Sequence, residues 1–432
     1  MKSAALAALF VLGVASTAKA QMGNAEHWDM MTSADQCSAS EYWSFAMSMC
    51  LPRPAARGNF RAMIMGAIFL ADVGVSGTRS AHELVAPNWL MLDLGVDLAR
   101  WNRLELDTML TAERWTFPYS GYPLPFQVGE DNSEGVPFVD AQHPHSSPLM
   151  GLTLTDVMSL WTTKLRIVRV WFAPRGESTD GPIAFMHRAT GTVNPDAPLG
   201  HHVGEDVGHI SSTVIGASLT LPSTIVEVST FHGREPDPDA VDLPIGVPDS
   251  VAARVSQQLG RHYTVAASLA YVHDPEGTGP SSTMADPVMR ASLSAYARWN
   301  LPLDWRAHVT LIWGGVSNYD ATPWLDAITG EVLFTDWDNA LWGRLEILQR
   351  TPAELRVNPL PMDPNAPDWV GALTLGYTRR AVSLGPLDFS VGASGTLNFV
   401  TDTFLNAYGG RPILSGKLFV EARVIKMWDV RR

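Results

Sequence analysis

Residues 387–398 read Leu-Asp-Phe-Ser-Val-Gly-Ala-Ser-Gly-Thr-Leu-Asn, a dozen positions in which apolar and polar side chains alternate. A period of two puts Leu387, Phe389, Val391, Ala393 and Leu397 on one face of a strand. Asp388, Ser390, Ser394, Thr396 and Asn398 fall on the other. The same arithmetic recurs along the chain. Leu90, Leu92, Leu94, Val96 and Leu98 alternate with Asp93 and Asp97, and Leu104, Leu106 and Leu110 with Glu105, Asp107 and Glu113. Trp305, Ala307, Val309, Leu311 and Trp313 alternate with Arg306, His308 and Thr310, and Leu418, Val420, Ala422 and Val424 with Glu421 and Arg423.

Periodicity alone fits two architectures. A secreted sandwich or propeller buries its apolar faces in a shared core, whereas a barrel in lipid turns them outward and lines its lumen with the polar set. Three further features favour the barrel. Met1–Ala20 has the form of a signal peptide, with Lys2, an apolar stretch over Ala4–Val14 and a small-x-small site at Ala18-Lys19-Ala20. No Cys follows that site, which argues against a lipid anchor. Trp89, Trp115, Trp171, Trp299, Trp305, Trp313 and Trp369 fall near predicted strand ends, as interfacial girdles require. No later segment reaches the ~18 consecutive apolar residues of a spanning helix. The 46% hydrophobic content suits a globular chain equally and decides nothing.

The pattern predicts sixteen strands, near 59–74, 88–100, 103–115, 148–160, 163–174, 210–222, 224–234, 249–259, 262–274, 287–299, 303–315, 323–334, 339–349, 368–381, 386–399 and 414–427. Fourteen is the alternative count. An apparent change of phase between Arg166 and Arg169 suggests a bulge. The expected fold is all-β: one transmembrane antiparallel up-and-down barrel over 58–432, behind a periplasmic segment at 21–57, in the outer membrane of a Gram-negative bacterium. An even count puts both ends of the barrel on the periplasmic side. The long connections, near 116–147, 175–209, 235–248, 275–286, 316–322, 350–367 and 400–413, then lie outside the cell. Loops of ~30 residues are uncommon unless functional, so function is sought in the two longest.

Six of the twelve histidines lie there: His143, His145, His187, His201, His202 and His209. Imidazole suits copper, zinc and nickel when several rings converge, and Met186 beside His187 favours a softer ion such as Cu(I). The competing reading is a hydrogen-bonded loop plug or constriction in which Asp140, Gln142, Arg188, Arg234 and Glu235 pin the loops into the mouth. The two readings are compatible.

The runs Asp140-x-Gln142-His143-Pro144-His145, Ala184-Phe185-Met186-His187-Arg188, Asn194-Pro195, Ala197-Pro198, His201-His202, His209-Ile210-Ser211 and Gly233-Arg234-Glu235-Pro236-Asp237 resemble those of an uncharacterised family of bacterial outer-membrane barrels. Its genes are often found near copper and heavy-metal resistance genes. The resemblance covers roughly Asn59 to the C-terminus and is densest between Asp140 and Asp237. It implies the barrel fold and a metal context, for which the imidazoles leave copper or zinc as the candidate ion. The chain departs from the family's pattern at Val203, where Trp is usual, and at Gly204–Gly208, which replaces a shorter linker.

Other chemistry finds little support. The run at His82-Glu83 has Ala86 where a second zinc-ligating His belongs, Gly416-Lys417 is followed by Leu418 rather than Ser or Thr, and no Gly-x-Ser-x-Gly elbow occurs. With 31 basic against 44 acidic residues the chain repels polyanions, which excludes nucleic acid as a partner. Cys37 and Cys50 form either a disulfide or a soft-metal thiol pair, beside His27, Met30, Met31, Met47 and Met49. Asp93, Asp97, Glu105, Asp107 and Glu113, read as lumen-facing, favour cations if the pore is open.

Two functions remain from different classes. One is a porin-like or metal-handling channel, with small solutes or metal ions as cargo, whose His-rich loops constrict the mouth. The other is a plugged metal-binding or structural surface barrel without flux. An outer-membrane enzyme stands third, with no catalytic residue to name. Lipid is a partner in each case, and no oligomeric state is set.

Overall fold

The computed structural model describes residues 36–132, 134, 136–160, 166–275, 287–317 and 324–430. The signal sequence expected at Met1–Ala20, His27, Met30, Met31 and most of the connections at 275–286 and 316–322 lie outside them.

Alternation becomes a wall because every polar backbone group finds its partner on a neighbouring strand. In chain order the wall comprises β3 (Phe60–Val75), β4 (Ala81–Val85), β5 (Asn88–Ala99), β6 (Asn102–Leu110), β9 (Leu149–Leu160), β10 (Arg166–Gly176) and β11 (Ser211–Thr220). It continues through β12 (Thr224–His232), β13 (Ser250–Leu259), β14 (Tyr263–Val272), β15 (Val288–Asn300), β16 (Arg306–Val316) and β17 (Leu325–Thr335). The last four are β18 (Asn339–Arg350), β19 (Asp368–Leu384), β20 (Leu387–Val400) and β21 (Ile413–Val430). Two hairpins stand apart: β1 (Glu41–Ser44) with β2 (Met49–Pro52), and β7 (Tyr122–Asp131) with β8 (Pro137–Gln142). β3 pairs with β4 along one half and β5 along the other, so β4 and β5 are one strand interrupted at Ala86-Pro87. Pro87 has no N–H to offer the ladder, and its carbonyl accepts from Phe69 N at 2.9 Å. Counted so, the wall has sixteen antiparallel strands, closed by Val430 opposite Phe60.

The outer face is apolar and exposed. On β20, Val391 is 48% exposed while the adjacent Ser390 is 1% exposed, and Leu375, Leu418, Leu293 and Leu311 continue the belt around the wall. Water is a poor solvent for such a belt and a bilayer a good one. An even-stranded closed barrel with this belt is the architecture of bacterial outer-membrane proteins, and the chain spans that membrane.

The lumen differs from a simple polar lining. Asp93 and Glu105 hold the buried Arg61 at 2.6 and 2.8 Å, and Asp97 holds Arg103 at 2.7 Å. The predicted acidic wall is therefore largely neutralised at Asp93, Asp97 and Glu105. The strand predicted over 103–115 stops at Leu110, so Glu113 opens a helical turn, α1 (Glu113–Thr116), instead of lining the pore. No phase change occurs at Arg166–Arg169. Pairing there is regular on both sides, and the shift lies between Phe172 and Arg175. Ile167 faces inward although apolar, because Tyr42 and Leu51 of the β1–β2 hairpin cover it. Trp89 and Trp171 likewise face inward and are not girdle residues.

That hairpin sits inside the barrel. Cys37 and Cys50 are joined by a disulfide. Trp43 and Phe45 pack on Ile183, Ile225, Ala266 and Tyr296. Arg103 donates to the Pro52 carbonyl at 2.8 Å, and Asp97 accepts from Ala55 N at 2.9 Å.

Candidate functional site

The long connection between β10 and β11 folds into the lumen rather than over the rim. Residues 178–210 are almost all buried. Their backbone groups are met by charged side chains of the opposite wall. Arg344 donates to the Asp196 and Ala197 carbonyls at 2.9 and 3.3 Å. Arg350 donates to Leu199 O at 2.8 Å, and Glu346 accepts from Leu199 N at 2.6 Å. Lys417 and Tyr122 both bond the Asp196 carboxylate. At the turn His201–Glu205 the chain meets wall glycines: a side chain at Gly314 would lie 2.1 Å from the Val203 carbonyl. Gly204, at φ +76°, lies where a Cβ would come within 2.9 Å of Gly315 N and Ala291 O. Only glycines on both sides permit this contact.

Beside it lies the β7–β8 hairpin in the connection after β6. Asp140 accepts from Arg79, Tyr408 and Phe126 N at 2.6, 2.6 and 2.8 Å, tying the hairpin to α2 (Asp402–Tyr408). Gln142 accepts from Ala197 N at 3.1 Å, joining the two loops. Arg188 braces the long loop internally, donating to Ile183 O at 2.8 Å and to Glu205 O. Glu235 pairs with Arg290 of the wall at 2.6 Å. Arg234 is half exposed and pairs with Asp237 at 3.6 Å.

The two loops bring five imidazoles together. His143, His201 and His202 each present a ring nitrogen, and these atoms all lie within 4.8 Å of one another; His201, Asp206 and His209 form a second such group. The His201 ring is 4.5 Å from that of His202 and 4.9 Å from that of His209. His145 faces His209, Nε2 to Nε2, at 3.3 Å.

The tautomers follow from the partners. Nδ1 of His209 lies 2.6 Å from the Asp206 carbonyl, which only accepts, so Nδ1 carries the proton. Nδ1 of His145 lies 2.8 Å from the Glu113 carboxylate, which also takes the His145 backbone N–H at 2.9 Å. In the neutral rings both Nε2 atoms then carry lone pairs aimed at each other, and a proton or a cation must sit between them. Two metal–nitrogen bonds of about 2.05 Å at a tetrahedral angle span about 3.3 Å, the separation observed.

Burial favours the uncharged, donating form. It pushes His143 and His202 well below the ordinary histidine value, assisted by the neighbouring histidines, and takes His209 down to about 4. Nε2 of His202 is buried without a hydrogen-bond partner among the described residues. Burial alone raises the Asp206 carboxyl, but His209 and His201 beside it hold it below the usual range.

His187 is not in this cluster. Its ring packs edge-on to Trp89 at 6.0 Å, on the lumen side of the loop. Sequence reasoning missed Glu113, which orients His145, and Arg344 and Arg350, which anchor the plug. Glu113 continued the alternation of its strand and gave no sign of leaving it. The arginines sit at inward positions, and their parity was the available signal.

No protein-family model and no curated protein matches the chain. Among solved structures it is similar to OmpT of Vibrio cholerae in its trimer form (9% identity, covering 84% of this chain and 99% of that one, TM-score 0.47). It is also similar to the anion-selective porin of Comamonas acidovorans (11%, 84% and 99%, 0.48) and to Salmonella typhi OmpF in complex with daunomycin (6%, 83% and 97%, 0.49).

Proposed function

We propose that this porin-like barrel binds a late transition-metal ion, copper or zinc, on imidazoles of His143, His145, His201, His202 and His209 in its plugged mouth. The supporting observation is the His145–His209 pair: two Nε2 atoms at tetrahedral-edge spacing, each left as a donor by the partner of its own Nδ1. Glu113 and the Asp206 carbonyl are the outer partners that metal-bound imidazoles require. The set lacks thiolate and holds neutral nitrogens, which suits Zn(II) and Cu(II) and not Mg(II) or Ca(II).

Titration of the detergent-folded protein with Zn(II) and Cu(II), with Mg(II) as control, tests this. Saturable binding that is lost in His201→Ala/His202→Ala and weakened in His145→Ala supports it. Equal affinity in wild type and both variants, with the barrel intact, refutes it. Flux of the ion is a second reading, favoured by the chamber beneath the cluster. It requires the plug to move, and conductance in planar bilayers measures it.

A further inference from the structure

Lumen positions of a membrane barrel are ordinarily polar. Here three neighbouring wall strands place methionines directly opposite one another, Met65 of β3 beside Met91 of β5 beside Met109 of β6. All three face inward. Met150, at the start of β9, and Met186, from the long loop, pack with Met109 in one cluster. Met91, Met109, Met150 and Met186, with Met47 from the β1–β2 turn, line a chamber of about 120 Å³.

This chamber is not a dry core in which methionine merely fills gaps. Asp107, Glu227, Arg169 and Arg254 line it as well, with Arg254 paired to Glu227 at 2.8 Å. So does His187, whose Nδ1 is buried without a hydrogen-bond partner among the described residues. An orphaned imidazole nitrogen among thioethers is costly unless something binds there. Thioether sulfur and imidazole together select soft monovalent d¹⁰ cations over Zn(II) or Mg(II). Met150 and His209 line this chamber and also the outer cavity that holds His143, His145 and His201, so the two sites share a wall.

We infer that the chamber is a second metal site, binding Cu(I) or its redox-inert analogue Ag(I) through the sulfurs of Met109, Met150 and Met186 and the imidazole of His187. It stands on donors that the imidazole cluster does not use.

Competition titration of the intact folded barrel with Ag(I) against a chromogenic chelator tests it, with Zn(II) titration run on the same preparations. Leucine conserves methionine's volume, so Met109→Leu/Met150→Leu/Met186→Leu is the main variant, and Met186→Leu and His187→Asn are single changes in the loop. The triple variant is expected to lose at least tenfold in Ag(I) affinity with Zn(II) affinity unchanged, and the single variants to lose part of it. His201→Ala/His202→Ala should show the reverse pattern. Should the triple variant fail to fold, the two single variants decide. Undiminished Ag(I) affinity in the methionine and His187 variants, or an Ag(I) site that disappears only with His201 and His202, overturns the inference. Neither result bears on Zn(II) binding at the mouth.

Discussion

Arg350 offers the sharpest test of the plug. The residue is 1% exposed and its guanidinium clamps both loops at once, donating from Nε to Phe126 O of the β7–β8 hairpin at 3.0 Å and from a terminal nitrogen to Leu199 O at 2.8 Å. Hydrogen bonds to a charged group contribute about 1.5–3 kcal/mol each, so losing both in Arg350→Gln weakens closure by about 3–6 kcal/mol before any compensation. Removing a buried charge also removes its desolvation penalty, and a glutamine amide can keep one of the two bonds. A net loss of about 2 kcal/mol shifts the closed-to-open ratio roughly thirtyfold. In planar bilayers the wild-type barrel should rarely open, and Arg350→Gln should flicker between closed and open levels. Hydrogen exchange at Ala197 and Leu199 should quicken by a similar factor, because both N–H groups bond across the plug. A folded Arg350→Gln barrel with unchanged conductance and exchange would refute the clamp.

Three further perturbations probe the wall, the contact and the site. Gly314→Ala inserts a methyl 2.1 Å from the Val203 carbonyl and should push the His201–Glu205 turn off the wall, lowering Zn(II) affinity while the barrel still migrates as folded on gels. Glu113→Gln keeps the size but removes the carboxylate that orients His145. Loss of such an outer partner typically costs about 10–100-fold in metal affinity, readable by the same titration. Leu375→Arg puts a charge in the middle of β19 on the lipid face and should reduce folding stability in bilayers by about 2–4 kcal/mol in urea titrations. The same change at Leu303, in a turn, should have little effect.

The wall was legible because side-chain parity is a local property. Strands such as 88–100, 303–315 and 386–399 end within a few residues of β5, β16 and β20, and the long connections follow by subtraction. Residue type stopped reporting direction where the chain fills its own lumen. Ile167, Trp89 and Trp171 resemble lipid-facing residues, yet they meet the β1–β2 hairpin, the long loop or the chamber. The meeting of His145 with His209 joins residues 64 positions apart and depends on how the two loops dock, which no local pattern encodes. The same docking carries His187 away from the other five, although its spacing along the chain gave no reason to separate it.

The most direct measurement is anomalous diffraction from crystals of the folded barrel soaked in Zn(II) and recorded at the zinc edge. The account predicts a peak within bonding distance of imidazole nitrogens of the His143–His145 and His201–His209 loops, between the facing Nε2 atoms of His145 and His209 or beside His201 and His202. Zinc found only on the exposed His82, with none in the plug, would contradict it.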